Sequence, residues 1–292
     1  MDFDQTDAYL RRIGAERPAA PTTRALHDLH LAHLRAVPFE NLSVHLDEDI
    51  ELTAGSLVAK VVGAHRGGFC YELNGAFAAL LTAVGYEVTL LQARVYDASG
   101  QPGIPYDHLA LRVLTADGGD WLADVGFGTH SHFPLAFGER GDQSDPGGTF
   151  RIAETAEGDL DVSRDGKAQY VVDRRPRALA DFTSGAWWHR TSPRSHFTRS
   201  LVCSLLTGTG RITLSGRTLT TTEAGERHAV ELTTDADVLE AYDKHFGITL
   251  AQVPHVKKTV SSDSPDSPDS PGSPDAPDAP DAPDSPGGAT AS

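Results

Sequence analysis

Cys70, His108 and Asp124 are the residues of this 292-residue chain whose types and order fit nucleophilic chemistry. Cys70 ends the glycine-led stretch Arg66-Gly67-Gly68-Phe69-Cys70 and is followed by Tyr71-Glu72-Leu73-Asn74-Gly75 and an apolar run, Ala76 to Val84, that stops at Gly85. This reads as a loop delivering a thiol to the first turn of a buried helix. Unpaired N–H groups and the positive end of the helix dipole favour thiolate there. A thiolate beside an imidazole that a carboxylate orients is a recurring nucleophile design. Such triples are common, so spacing alone leaves the site open. The other cysteine, Cys203, lies in an apolar stretch and reads as a small core residue.

The elements that must position these residues follow from local patterns. Residues 1–86 read as helical. Asp7 to Ile13 is a short amphipathic segment stopped by Gly14. Thr22 or Thr23 can cap a second helix carrying Leu26, Leu29 and Leu34, which ends before Pro38. His27, His30 and His33 recur in it at intervals of three, without the carboxylate or fourth group a metal face needs, and read as structural or surface residues. Val37-Pro38-Phe39-Glu40-Asn41-Leu42 reads as a helix exit packed on the core by Phe39. Thr53 to Ala64 gives a third helix that leads into the cysteine loop.

From Glu87 the period becomes that of strands. Val88 to Tyr96 is rich in strand formers, and Asp107 to Leu114 alternates with His108 near its start. Asp117-Gly118-Gly119-Asp120 is a tight turn, and Trp121 to Val125 returns antiparallel, which brings His108 and Asp124 to one end of the hairpin. Short strands at 149–153, 160–162 and 170–172 complete a small β-barrel or curled sheet. Residues 186–260 mix strands at 200–206, 211–214, 217–221 and 227–232 with a helix opened at Thr234-Asp235-Ala236-Asp237 and closed by Gly247. After Val260 the chain becomes Ser/Pro/Asp and Ala/Pro/Asp triplets, whose prolines oppose helix and sheet. The expected fold class is α+β: a helical bundle carrying the cysteine (1–86), a β-barrel carrying His108 and Asp124 (87–185), an α/β lid (186–260) and a disordered acidic tail (261–292).

Charge and composition narrow the function. The formal charge is −16, and seven aspartates in a tail without Lys or Arg account for −7 of it, leaving −9. A body this acidic argues against a nucleic-acid partner. Two cysteines make no disulfide framework, the N-terminus lacks the pattern of a signal peptide, and no apolar run approaches the roughly 20 residues of a membrane span. A protein of a reducing cytoplasm is expected.

The blocks Pro38-Phe39-Glu40-Asn41-Leu42, Arg66 to Asn74, Asp124-Val125-Gly126-Phe127-Gly128 and Ser195-His196-Phe197, in that order and separation, resemble the arylamine N-acetyltransferase family over roughly residues 5 to 255. The resemblance implies the bundle, barrel and lid read above, with a cysteine-protease-like core. It places the catalytic cysteine, histidine and aspartate on Cys70, His108 and Asp124. It further implies acetyl-coenzyme A as co-substrate, no metal, and a two-step transfer through an acetyl-cysteine to an arylamine, hydrazine or arylhydroxylamine. Gly126, Phe127 and Gly128 would lie against the coenzyme's pyrophosphate, where glycine lets backbone amides approach. Phe127 and Phe197 would line the acyl and amine pocket, with Val95 joining them. The protein would be a monomer or homodimer.

Three further expectations concern the surroundings of the thiol. Arg66 and Glu40 form an ion pair bracing the cysteine loop, and Gly67 and Gly68 clear space beside a bound thioester. His130 and His132 could join His108 in a zinc site, but a zinc-bound cysteine would be a poor acyl carrier. Two rival functions use the same triad. An amide synthase closing a polyketide chain onto its own arylamine would need a carrier-bound thioester, and the ordinary length of residues 200–255 favours coenzyme A instead. A cysteine hydrolase would place an oxyanion glutamine shortly before the cysteine, and Val61 to Phe69 contains none.

Overall fold

Short-range signals set the first helices of the computed structural model, which describes residues 1–256. The expected acidic tail, 261–292, lies outside the described residues. Helix α1 (Phe3–Ile13) opens on a reciprocal cap between Asp2 and Gln5 and ends where Gly14 takes a left-handed φ of 66°. Helix α2 (Thr23–Ala36) is capped by the Thr22 side chain and ends at an extended Val37, as the following proline requires.

Beyond Pro38 the chain does more than leave a helix. Strand β1 (Phe39–Glu40) pairs antiparallel with Ser204 and Cys203, and Phe39 also bridges Gly68. The proline forbids a further helical turn, and the extended backbone finds its hydrogen bonds in a strand far along the chain. After the single turn α3 (Leu42–His45) comes α4 (Ala54–Val58), capped by Thr53, which continues as a π-helical turn over Ala59–Gly63. Helix α5 (Cys70–Ala83) has eleven of its fourteen residues buried, so it is a central core helix rather than an amphipathic surface one. Its Leu73, Phe77, Leu80 and Leu81 pack with Tyr9, Leu26, Leu29 and Val61.

Eight antiparallel strands follow: β2 (Glu87–Val95), β3 (His108–Leu114), β4 (Asp120–Ala123), β5 (Leu135–Ala136), β6 (Gln143–Asp145), β7 (Gly148–Glu154), β8 (Leu160–Arg164) and β9 (Lys167–Val172). They form one nearly closed, barrel-like sheet in the order β5-β4-β3-β2-β9-β8-β7-β6. Leu91, Ala93, Ala110, Phe150, Ile152, Val162, Tyr170 and Val172 fill its interior. The expected hairpin is β3–β4, in a register that sets Leu111 opposite Ala123.

Helix α6 (Thr183–Thr191), around Trp187-Trp188, was not legible as an element and crosses the expected border at 185/186. The one-turn α7 (His196–Arg199) precedes β10 (Val202–Leu206), β11 (Gly210–Ser215), β12 (Thr218–Glu223) and β13 (Glu226–Glu231). With β1 these make a five-stranded sheet, β1-β10-β11-β12-β13. Helix α8 (Asp235–Phe246), capped by Thr234 and closed by Gly247, buries Val238, Tyr242 and Phe246 against Leu42, Leu201, Cys203 and Leu214. No helix among the described residues is long and apolar enough to cross a membrane.

Candidate active site

The loop before Cys70 is held by charge and by close packing. Arg66 Nε bonds Glu40 Oε1 at 2.9 Å and its Nη1 reaches Glu48 at 3.0 Å, so the expected brace is present, with Glu40 fully buried. Burial alone would raise the Glu40 carboxyl, but Lys60 and Arg66 outweigh it and hold it below the ordinary range. Gly67 and Gly68 give the chain the clearance it needs to turn here. A Cβ on Gly67 would sit 1.8 Å from the Pro38 carbonyl oxygen, and one on Gly68 would sit 2.5 Å from Glu72. Gly67 thus allows the loop to lie against the start of β1 and Gly68 against α5, with the Glu40 amide donating to the Gly68 carbonyl at 2.9 Å. Phe69, the N-cap of α5, has no side-chain acceptor for the Cys70 and Tyr71 amides, while the Glu72 amide donates to the Phe69 carbonyl at 3.0 Å.

The three residues singled out from sequence meet. His108 Nε2 bonds Asp124 Oδ2 at 2.7 Å, and the Cys70 sulfur lies near enough to the same imidazole to act on its charge. Cys70, His108 and Asp124 are each at most 4% exposed. Burial would push the imidazolium down, but the Asp124 carboxylate and the Cys70 sulfur outweigh it and raise His108 to about 10. Asp124 is likewise penalised by burial, yet His108 holds its carboxyl well below the usual range. The local reason is the hairpin: β3 starts at His108, and Asp124 directly follows β4 on the adjacent antiparallel strand.

Four residues around Asp124 escaped the sequence reading. Asn74 Nδ2 donates to Asp124 Oδ1 at 2.8 Å, while its Oδ1 accepts the Val125 amide at 2.9 Å. Its position four residues after Cys70, on the same helix face, was the available signal. His30 Nε2 accepts the Asp124 amide at 3.3 Å, and its Nδ1 donates to the His132 carbonyl at 2.9 Å. Burial lowers His30 to about 4, so this ring stays neutral and acts as a strut. His33, bonded to the Tyr9 hydroxyl at 3.0 Å, is buried and structural as expected. Burial first, and the Asp124 carboxylate second, push the Tyr170 hydroxyl well above its ordinary range, and His130 Nε2 meets that hydroxyl at 3.0 Å. Among the described residues no three His, Cys, Asp or Glu side chains are grouped as a metal ion would need.

The residues expected around the coenzyme and pocket divide. The Gly126 amide donates to Asp124 Oδ1 at 2.9 Å, and a Cβ there would meet Cys70 Cα and Asn74 at 2.7 Å. Gly126 is thus the point where the loop lies on α5. Gly128 takes a left-handed φ of 89°, which turns the chain beside the Phe39 ring. Phe127 meets the His108 ring edge-to-face at 5.3 Å and the Tyr170 ring at a tilt at 5.2 Å, and packs with Val95 on the barrel core. Phe197 lies against Phe69 at 5.5 Å and Phe39 at 6.1 Å, packed on the buried cluster that includes Cys70.

A buried thiol at a helix start, beside an imidazole that a buried carboxylate orients, is an arrangement able to support thiol-dependent acyl transfer. The sequence model described as N-acetyltransferase matches residues 22–255, and the chain belongs to that family. It is 34% identical over 258 residues to the arylamine N-acetyltransferase / N-hydroxyarylamine O-acetyltransferase of Salmonella typhimurium, covering 85% of this chain and 90% of that one. It is 33% identical to the arylamine N-acetyltransferase of Mycolicibacterium smegmatis, covering 84% and 92%. The structure of Mycobacterium marinum arylamine N-acetyltransferase in complex with CoA superposes with a TM-score of 0.76 at 30% identity, covering 83% of this chain and 92% of that one.

Proposed function

We propose that this protein transfers an acetyl group from acetyl-coenzyme A to the nitrogen of arylamines, arylhydrazines or arylhydroxylamines, with Cys70 as the acyl carrier. The observation that carries this reading is the buried His108–Asp124 hydrogen bond of 2.7 Å beside the Cys70 thiol at the start of α5.

His108 places positive charge beside the Cys70 sulfur. The sulfur attacks the thioester carbonyl as thiolate, and the Cys70 amide at the start of α5 donates to the oxygen as charge develops on it. The carbon–sulfur bond to coenzyme A breaks, and His108 gives its proton to the departing sulfur. The amine nitrogen then attacks the acetyl group on Cys70. The now neutral His108 accepts the amine proton, and Cys70 leaves as thiolate, which restores the starting pair. Asp124 keeps the ring oriented throughout, itself held by Asn74 and the Gly126 amide.

Phe127, Val95 and Gly128 on the barrel side and Phe197 on the cluster around Cys70 are assigned to the coenzyme, acyl and amine pocket. The thiol helix set against an antiparallel sheet supports a cysteine-protease-like core. The order of elements supports a division into bundle, barrel and lid near residues 86 and 185. Two unpaired cysteines, Cys70 and Cys203, support a reducing cytoplasm.

Incubation with acetyl-coenzyme A followed by peptide mass mapping tests the assignment. An acetyl group on Cys70 that an arylamine discharges is expected. No acetylation of Cys70, or full activity in Cys70→Ala, would end it. Acylation only by a carrier-bound acyl thioester would replace it with an amide synthase.

A further inference from the structure

A second imidazole–carboxylate pair lies directly beside the first. His189, in the last turn of α6, bonds Asp107 Oδ1 through Nε2 at 3.0 Å and the Asp107 carbonyl at 3.2 Å. Its Nδ1 meets Ser195 Oγ at 3.2 Å. Asp107 immediately precedes His108. Its carbonyl also accepts from the Tyr71 hydroxyl at 2.9 Å and lies 4.0 Å from the Cys70 sulfur. At the other end, Ser195 caps α7 by accepting the Phe197 amide at 3.2 Å. The Phe197 ring itself packs on His189 at 5.1 Å. One side chain therefore joins the aromatic wall of the site to the chain that enters the proposed base.

The order Ser–His–Asp is that of a hydrolase, but the serine is not placed to act as one. Ser195 is completely buried and its Oγ is already committed as a helix cap. The contact is instead built for rigidity. Asp107 Oδ2 accepts the Val95 amide at 3.0 Å, so Asp107 is fixed by β2 on one side and α6 on the other. Helix α6 approaches so closely that a Cβ on Gly185 would lie 2.4 Å from the Tyr106 carbonyl. Tyr106 takes a φ of 60°, a left-handed conformation that a non-glycine residue keeps only where its surroundings over-determine it.

We propose that His189 is a positioning residue for acetyl transfer to the amine. By tying the Phe197 segment to Asp107, it holds the aromatic acceptor in register with the acetylated sulfur and with His108. The proposal rests on the roles given above to Cys70 and His108.

The test separates the two half-reactions. Acetylation of Cys70 by acetyl-coenzyme A, transfer from the acetylated protein to a substituted aniline, and melting temperature are measured for wild type, His189→Leu, His189→Gln and Ser195→Ala. His189→Leu is expected to acetylate within about threefold of wild type. Its transfer to the amine should fall on the order of 10- to 100-fold, the scale of loss from roughly 1 Å of misplacement, with a raised KM for the amine. His189→Gln, which can donate from its amide nitrogen and accept at its oxygen, should recover most of that loss. Ser195→Ala should show a smaller loss in the same step, and it carries the test if His189→Leu does not fold. Transfer within about threefold of wild type in both His189→Leu and Ser195→Ala would overturn the proposal. Equal losses in both half-reactions, unrelieved in His189→Gln and matched by melting temperature, would also overturn it in favour of a purely structural role. Ester hydrolysis that survives Cys70→Ala and disappears on adding Ser195→Ala would overturn it in favour of a serine nucleophile. Absence of acetyl-Cys70 in wild type would instead remove the reading beneath the proposal, and the proposal with it.

Discussion

Cys70 and Cys203 are nearly equally hidden, 4% and 0% exposed, yet their surroundings assign them opposite chemistry. Cys203 sits in β10 among Leu201, Leu214 and Tyr242, with the Glu40 carboxylate nearby. Burial first, and Glu40 second, push its thiol well above the ordinary range. Cys70 begins a helix and lies beside an imidazolium that a buried carboxylate sustains. Burial therefore does not decide whether a thiol reacts; the cation and amides facing the sulfur do. Glu40 links the two, since the carboxylate that neighbours Cys203 also anchors Arg66 in the loop before Cys70.

The sharpest way to break this contrast is to remove each sulfur in turn. Cys70→Ala should lower arylamine-dependent release of coenzyme A by at least about 10⁴-fold, whereas Cys203→Ala should stay within about twofold. Comparable losses in both would dissolve the comparison.

Asp124→Asn should cost on the order of 10³- to 10⁴-fold in the same assay, because the ring loses its orienting carboxylate. In wild type the alkaline fall in Cys70 acetylation should lie near pH 10, where His108 loses its proton. In Asp124→Asn that fall should move to lower pH, since burial is then less opposed. The raised His108 pKa also stabilises the fold fully below its ordinary 6.5, and this contribution is lost as pH rises towards about 10. Denaturant titrations of wild type and His108→Gln across that range should converge at the alkaline end.

Arg66→Met leaves Glu40 buried without its principal partner, and should cost about 3–5 kcal/mol in urea unfolding. A much smaller loss would mean that Lys60 alone satisfies Glu40. Cys203→Ser should cost about 1–3 kcal/mol for a hydroxyl placed in an apolar site, while leaving iodoacetamide labelling of Cys70 in the folded protein unchanged. Labelling of Cys203 before unfolding, read by mass spectrometry, would contradict its closed setting.

Much of the local architecture was legible before any coordinates. Thr22 caps α2, Thr234 and Gly247 bound α8, and β3–β4 returns through the glycine turn. Each of these depends on residues within a few positions of one another. Among the short or weakly patterned elements that were missed, two show the physical reasons. Strand β1 has only two residues, too few for a period, and α6 mixes small, aromatic and charged residues without a strong apolar stripe. The histidines of α2 read as structural or surface residues, but nothing local marked His30 as the acceptor for an amide 94 positions away.

The sequence by itself determined that a thiol would begin a buried helix and that a histidine and an aspartate would end adjacent strands. Those outcomes follow from capping, side-chain periodicity and turn chemistry, which act over a few residues. Only the tertiary structure decided what faces each group. It set Gly67 against the Pro38 carbonyl, spent the Gly126 amide on Asp124, and brought Asp107, His189 and Ser195 into one strut. These contacts join residues distant in the chain, and their partners are chosen by how the helices and the two sheets pack, which no local pattern encodes.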